Sequence, residues 1–337
     1  MKKLLLAAAL LAAPVLAQDA EPKGEPSPGE IVAAAPASEW VTIAPQDLLV
    51  MTLAPDRDGH ERRVVIQLMP PPFSQPWVAN IRTLAHDHWY DGNAITRVQD
   101  NYVAQWGDPN GDDKAKARTL PEGLGPTSVG EYETKIDGPI ERALQARLKA
   151  GEESLSDAFA KRGADKVLAI KRAIPRDPYS DETLDFKGWP VAVDRQSQTA
   201  WPIHCYAMVG VGRGYSPDAG SGAELYAVIG QAPRHLDRNI ALVGRVIEGI
   251  ENLSSLPRGT GPLGVYEDPA QQVPIASIRL ASELPADQQP HFEYLSTEGA
   301  TFAKYVDARA NRRDPFFIVP AGGVDICNVP VPVRRVP

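Results

Sequence analysis

Apolar and polar positions along the chain follow two patterns, and the commoner one predicts β-strands. The run Val64–Leu68 is almost continuously apolar, which is typical of a buried strand. Residues 89–109 (WYDGNAITRVQDNYVAQWGDP) alternate apolar and polar positions and predict two short strands joined near residues 99–101. AELYAVIGQ, NIALVGRVIEG and PIASIRLASEL predict further strands. Many strands separated by turns, with few helices, indicate a mainly β protein built on a closed antiparallel barrel.

Helical spacing is confined to a few segments. A helix is expected to begin at Pro76, because apolar residues then recur at helical intervals, at Val78, Ile81, Leu84 and Ala85. Ile140, Leu144 and Leu148 fall on one helical face and predict one or two amphipathic helices within an insert at about 111–188. TEGATFAKYVDARANR predicts a further helix near the C-terminus.

The N-terminal segment has the features of an export signal. Lys2 and Lys3 precede the apolar run Leu4–Ala13, and small residues end at Ala17. This pattern predicts a signal peptide over 1–17, with an uncleaved anchor as the alternative. Residues 18–39 are rich in Pro, Glu, Gly and Ala and predict a flexible tether. We therefore expect a periplasmic protein without stable membrane insertion after signal cleavage.

Composition narrows the choice of partners. The net charge of −8 argues against a nucleic-acid binder, which needs a basic face.

The chain has two cysteines, Cys205 and Cys327. An oxidising compartment allows a disulfide between them, but a buried free thiol at Cys205 is equally consistent with its apolar surroundings. The segment HDH at 86–88 shows no third ligand, so it favours a solvated loop over a metal site.

Two ordered blocks of motifs resemble the cyclophilins. PWVANI, YDG, ITRV and QWGDP follow one another within residues 60–110, and ELYAVIG, PRHLD and LVGRVIEG do so within 203–283. The resemblance implies an eight-stranded antiparallel barrel with capping helices, and peptidyl-prolyl cis-trans isomerase activity. It places a cyclophilin-like domain at 40–284, interrupted by the helical insert, and a C-terminal extension at 285–337.

The same resemblance assigns roles to individual residues. The family's catalytic arginine falls on Arg97, and its backbone-gripping glutamine falls on Gln105. The other positions expected to contact substrate are Tyr102, Val103, Tyr226, Glu224 and His235. Each has a purely structural alternative: a surface arginine, a polar strand residue, or ordinary core side chains. Bond rotation needs no metal and no organic cofactor, so none is expected. The expected partners are proline-containing segments of exported proteins.

Departures from the family pattern leave the activity open. Glu224 replaces a glutamine beside the groove, Ile240 stands at a frequent histidine, and Trp106 replaces a glycine, so we expect it to crowd the groove. The alternative function is a non-catalytic module that binds proline peptides as a chaperone or scaffold in the cell envelope.

Overall fold

The computed structural model describes residues 24–111, 113–147, 149 and 177–336. The predicted signal peptide and Leu148 lie outside the described residues. The strands in this part of the chain are β1 (Trp40–Ile43), β2 (Leu48–Leu53), β3 (Arg62–Leu68), β4 (Ala94–Val98), β5 (Val103–Gly107), β6 (Thr134–Lys135), β7 (Glu182–Phe186), β8 (Trp189–Asp194), β9 (Thr199–Pro202), β10 (Met208–Val211), β11 (Leu225–Val228), β12 (Leu242–Glu248), β13 (Val273–Leu280), β14 (Phe292–Leu295) and β15 (Val333–Arg335). The helices in the same part of the chain are α1 (Pro28–Ala33), α2 (Gln75–His86), α3 (described over 138–147), α4 (Glu251–Ser254) and α5 (Ala300–Ala310).

Among the described residues, eight strands close into a barrel, which confirms the predicted fold class. Their order is β10-β11-β5-β4-β13-β2-β3-β12, and β12 pairs back with β10. Every pairing is antiparallel. Closure gives each barrel strand two partners and leaves no free edge for other chains to join. The short strands and tight turns read from the sequence therefore fit one closed sheet.

Alternation of side chains fills the barrel with apolar groups. Leu49, Met51 and Leu53 on β2 are buried in the main core, as are Val64 and Ile66 on β3. Helix α2 begins with Pro76 in its first turn and buries one apolar face. The buried residues of α2 include Trp77, Val78, Ile81, Leu84 and Ala85. The apolar residues at helical spacing in the sequence thus form the face of α2 that covers the barrel core.

The insert contains a sheet as well as a helix. Strands β6, β9, β8 and β7 form a four-stranded sheet in that order, and α3 buries Ile140 and Leu144. The expected boundary at 188 falls between β7 and β8, which pair with each other. The added segment therefore runs on to Pro202, because β8 and β9 pair within this sheet and not with the barrel.

The two ends of the described chain form a third unit. Strands β1, β14 and β15 make a three-stranded sheet, so β1 belongs with the C-terminal extension and the barrel begins at β2. Helix α1 starts at a capping box between Ser27 and Glu30. Its Ile31 and Val32 pack on the cluster that contains Phe302 and Tyr305. The expected flexible tether is therefore wrong for the residues from 28 onward, because their apolar side chains dock on α5.

A disulfide joins the C-terminal extension to the barrel. Cys205 and Cys327 are bonded, with their Cα atoms 5.1 Å apart. Cys205 precedes β10, and Cys327 lies in the short turn Ile326–Asn328. Of the alternatives left open by the sequence, the disulfide is the one that the structure contains. No helix in the described ranges has the length and apolar character to cross a membrane.

Candidate functional site

A β-bulge on β4 sets the direction of Arg97. Ile95 pairs with Trp106 and Arg97 pairs with Gln105, with the register shifting between Ile95 and Arg97. In a regular strand, Ile95 and Arg97 would share one face, because they are two residues apart. With the bulge, Ile95 is fully buried in the core while Arg97 remains partly exposed. The bulge thus turns the guanidinium out of the barrel, which is a recognised use of bulges near active sites.

Three groups hold the Arg97 guanidinium in place. Its Nε donates to the carbonyl oxygen of Leu263 at 2.6 Å, and its Nη1 donates to Gln105 Oε1 at 2.8 Å. Its Nη2 donates to Gln99 Oε1. A guanidinium carries five N–H donors, and these contacts within the described chain use three of them. The cation is therefore oriented by fixed partners while it keeps donor capacity for a ligand.

The surroundings of Arg97 shift the pKa of its guanidinium in both directions. Partial burial lowers the pKa of Arg97, whereas the nearby Tyr102 and Glu224 raise it. The guanidinium carbon also lies 5.6 Å from the centroid of the Tyr102 ring, in cation–π geometry. A guanidinium remains protonated at physiological pH. The site therefore presents a partly desolvated permanent cation beside an aromatic ring.

Gln105 connects Arg97 to an acidic rim. Its Oε1 accepts from Arg97, and its Nε2 donates to Glu224 Oε1. The exposed Glu224 packs across Gly107 and Gly212, because a Cβ at Gly212 would lie 2.7 Å from the Glu224 carboxyl carbon. Glycine at these positions leaves room for the carboxylate to lie flat on the barrel surface. The rim beside Arg97 is consequently negative.

A small apolar cluster lies next to these polar groups. Its buried members are Val103, Tyr226 and Val228, with Tyr102, Leu236 and Ile240 packed against them. The rings of Tyr102 and His235 stack, with centroids 6.1 Å apart and an interplanar angle of 14°. This cluster, separate from the barrel core, is hereafter called the apolar pocket and includes His235. Its half-buried members, Tyr102, Leu236 and Ile240, expose an apolar surface, and Tyr102 adjoins Arg97.

The structure brings the seven predicted site residues together at one place on the barrel. Their positions relative to the barrel follow from strand pairing, since Tyr226 on β11 pairs with Gln105 on β5. The expectation that Trp106 crowds the groove is wrong. Trp106 is fully buried in the main core, because alternation along β5 turns it to the face opposite Gln105.

Sequence reasoning missed two parts of the site. One is the turn Pro262–Gly264, whose Leu263 supplies a carbonyl oxygen to Arg97 and is itself 69 % exposed. The other is the buried His204, which contacts the Tyr226 hydroxyl through Nε2 at 3.0 Å. The position of this histidine inside the apolar run IHCYAMV does indicate a buried polar contact. Nothing in the local sequence identified its partner.

One comparison with known proteins identifies the family of this chain. The family described as cyclophilin type peptidyl-prolyl cis-trans isomerase matches residues 61–280. The crystal structure of cyclophilin AquaCyp293 from Hirschia baltica is similar with a TM-score of 0.59 and 19% identity, covering 92% of this chain and 98% of that chain. A cyclophilin type peptidyl-prolyl cis-trans isomerase of Cryptosporidium parvum gives a TM-score of 0.36 and 10% identity, over 69% of this chain and 96% of that chain. A search of curated proteins finds no match.

Proposed function

Because the chain belongs to the cyclophilin-type peptidyl-prolyl cis-trans isomerase family, we propose that it isomerises X-Pro bonds of exported proteins and that Arg97 stabilises the twisted imide. The observation that supports this most directly is the bulge on β4. It aims Arg97 at the edge of the apolar pocket and beside Gln105. A surface arginine on a regular strand would need no such register shift.

The chemistry of bond rotation explains why an arginine suits this position. An X-Pro bond rotates in tens to hundreds of seconds, because rotation breaks amide resonance. In the twisted state the prolyl nitrogen carries a localised lone pair that can accept a hydrogen bond. A catalyst must bind this state more tightly than either planar form. An acceleration of ~10^5 corresponds to ~7 kcal/mol of such differential binding.

The site divides this task between two kinds of contact. The apolar pocket of Tyr102, Val103 and Tyr226 would hold the proline ring, and Arg97 would donate to the prolyl nitrogen. A fixed, partly desolvated donor stabilises developing charge without reorganisation at the moment of reaction. Gln105 would serve as a second polar contact for the substrate backbone, next to the donor that it orients. No nucleophile and no proton transfer is required.

Two features support exported proteins as the clients. The N-terminal sequence has the pattern of a signal peptide, with two lysines followed by a short apolar run. Cys205 and Cys327 form a disulfide, and disulfides persist in oxidising compartments such as the bacterial periplasm. A periplasmic location would place the enzyme among newly exported, unfolded chains whose prolyl bonds still isomerise.

A specific arrangement in the groove favours the non-catalytic alternative. Both polar ends of the Gln105 side chain are engaged, one by Arg97 and the other by Glu224. Each end keeps one further hydrogen-bonding position, but a substrate backbone would have to compete with Arg97 and Glu224 for the orientation of the amide. If the amide stays aligned with those two partners, Gln105 contributes little to holding the twisted state, and the chain would bind proline segments in the apolar pocket with weak acceleration or none.

One set of variants separates the two functions. Isomerisation of a short X-Pro peptide is followed by NMR exchange with the wild type, Arg97→Ala and Arg97→Lys, and peptide binding is titrated for each. Arg62→Ala is the control, because Arg62 is a strand arginine whose side chain donates to the Ala54 and Pro55 carbonyls in the β2–β3 connection. We expect the Ala variant to lose at least 100-fold in kcat/KM, about 2.7 kcal/mol, as for other transition-state donors.

The lysine variant and the control complete the design. Arg97→Lys keeps the charge but loses the fork geometry, so we expect intermediate activity. The control should match the wild type. Peptide binding by a wild type that gives no acceleration would establish the binding module instead, and equal activity of wild type and Arg97→Ala would remove the role of Arg97.

A further inference from the structure

A chain of buried polar side chains runs behind the apolar pocket. The Tyr226 hydroxyl lies 3.0 Å from His204 Nε2, and His204 Nδ1 lies 2.9 Å from Asp237 Oδ1. Arg234 Nε donates to Asp237 Oδ2 at 2.7 Å. The two terminal nitrogens of Arg234 donate to the two carboxylate oxygens of Asp177, at 3.0 and 2.7 Å. Five side chains thus form one continuous network, hereafter called the relay.

The side chains of the relay are shielded from water, and that of Asp177 is 5% exposed. The exposed fraction is 4% for Tyr226, 1% for His204, 7% for Asp237 and 5% for Arg234. Buried polar groups are costly unless each finds a partner, and a fully satisfied network makes one arrangement strongly preferred. Burial alone would raise the pKa of Asp177, but hydrogen bonds from Arg234 and Ser180 hold that pKa below its usual value. The bidentate pair therefore consists of two charged groups.

Hydrogen-bond directions follow from the acceptors in the relay. The Asp237 carboxylate already accepts from Arg234 and from the backbone N–H of His204. It can only accept from the imidazole as well, so Nδ1 of His204 carries a proton. In the neutral tautomer Nε2 is then an acceptor, and the Tyr226 hydroxyl donates to it. The orientation of the Tyr226 ring is fixed from behind by this bond.

The relay also fixes the outer wall of the pocket. The turn Arg234–Leu236 carries two pocket residues between the relay positions 234 and 237. His235 stacks on Tyr102, and Leu236 packs in the apolar cluster. Arg234 and Asp237 hold the two ends of this turn, so a displacement of Arg234 would move both wall residues. The anchor of Arg234 is Asp177, which lies 57 residues earlier in the chain, within the insert and shortly before β7.

We propose that Asp177 and Arg234 are positioning residues for proline binding, through which the insert holds the pocket wall in its binding geometry. This inference rests on the proposed function, because it requires a pocket that binds proline segments. The insert would thereby help to shape the groove, although Asp177 and Arg234 are 57 residues apart in the sequence. Asp177 would then serve the site from behind the pocket wall.

A hydroxyl–imidazole–carboxylate chain also resembles the triad of a hydrolase, but the geometry argues against that chemistry. The Tyr226 ring and hydroxyl lie against Gly210, where even a Cβ atom would overlap them. Burial raises the pKa of Tyr226 well above its usual value, which opposes formation of a nucleophilic phenolate. A substrate carbonyl has no approach to the hydroxyl oxygen. The relay is therefore suited to positioning and not to covalent catalysis.

The test compares two carboxylate-to-amide variants in the insert. Asp177→Asn removes the charge that anchors Arg234. Glu182→Gln is the matched control, because Glu182 pairs with Arg195 at 2.8 Å elsewhere in the insert sheet. Steady-state isomerisation of an Ala-Pro peptide gives kcat and KM, and thermal unfolding gives Tm. A loss of uniform binding raises KM and leaves kcat unchanged.

We expect Asp177→Asn to raise KM about fivefold, or ~1 kcal/mol, with kcat within twofold of the wild type. Glu182→Gln should leave both constants unchanged. Asp177→Glu, which keeps a carboxylate, should recover most of the affinity. It also provides a second reading if the Asn variant does not fold. Arg234→Lys keeps the charge but loses the bidentate contact and should resemble Asp177→Asn.

The outcomes distinguish this inference from the function on which it rests. A wild-type chain that neither binds nor isomerises the peptide overturns the proposed function and the positioning role together. An active wild type with unchanged KM in Asp177→Asn overturns the positioning role alone. A lower Tm with unchanged KM has the same meaning, since the contact would then stabilise the fold without shaping the pocket.

Discussion

Reduction of the Cys205–Cys327 disulfide should lower the free energy of unfolding by about 5 kcal/mol. The bonded residues are 122 positions apart. In the chain-entropy account, a cross-link that closes a loop of this length removes roughly 16 cal/mol/K from the unfolded ensemble, which is about 5 kcal/mol at 25 °C. The loop includes strands β10 to β13 of the barrel. Residual structure in the unfolded chain lowers the measured value, so 5 kcal/mol is an upper figure.

Urea unfolding followed by tryptophan fluorescence measures this quantity, because Trp189 and Trp201 are both buried. The oxidised chain, the same chain in reductant, and a Cys205→Ala/Cys327→Ala double variant are compared. The reduced chain and the double variant should unfold at a similar, lower urea concentration, and reductant should not affect the double variant. Coincident midpoints for oxidised and reduced chains, with equal m-values, would refute the entropic reasoning.

Two further predictions concern charge. The wild type should prefer a lysine over a glutamate next to the substrate proline about fivefold in kcat/KM, because attraction of the one charge and repulsion of the other by the exposed Glu224 carboxylate differ by ~1 kcal/mol at roughly 8 Å in high dielectric. Glu224→Gln and high salt should each abolish this ratio, and an unchanged ratio in the variant would exclude Glu224 as its source. Burial raises the pKa of Asp185 to about 7, against the opposing effect of Arg147 and Arg245, so the folded chain retains a proton that the unfolded chain releases near pH 4. The contribution of Asp185 to stability therefore falls as the pH rises from about 4 to about 7. The Asp185→Asn variant should show a smaller change of Tm with pH across that window. An equally steep curve in the variant would assign the dependence to other groups.

Local pattern and family motifs were sufficient to predict the barrel, and the motifs indicated residues that strand pairing places beside one another. Arg97, Gln105 and Tyr226 were each predicted from the motif in which they lie, and strand pairing brings them together. The direction of Arg97 was not predictable from alternation, since a bulge reverses it. Alternation does predict the direction of Trp106, because Trp106 and its neighbour Gln105 must face opposite sides of one strand.

The contacts made across long sequence separations could not be predicted. His204 and Asp237 are 33 residues apart, and neither neighbourhood encodes the other. The sheet of the insert joins β6 to β9 across more than sixty residues. Helix α1 is a different case, because Ser27 and Glu30 have the spacing of a capping box. That local signal was outweighed by the Pro- and Glu-rich composition around it.

Gly210 restricts the order in which substitutions at this site can occur during evolution. Because a Cβ at this position would overlap the Tyr226 ring, any larger residue would push that ring away from His204. A lineage could therefore acquire the tyrosine in this orientation only on a background that already had the glycine, or together with it. Homologues with a larger residue at the position of Gly210 are accordingly expected to lack a tyrosine in this orientation at the position of Tyr226.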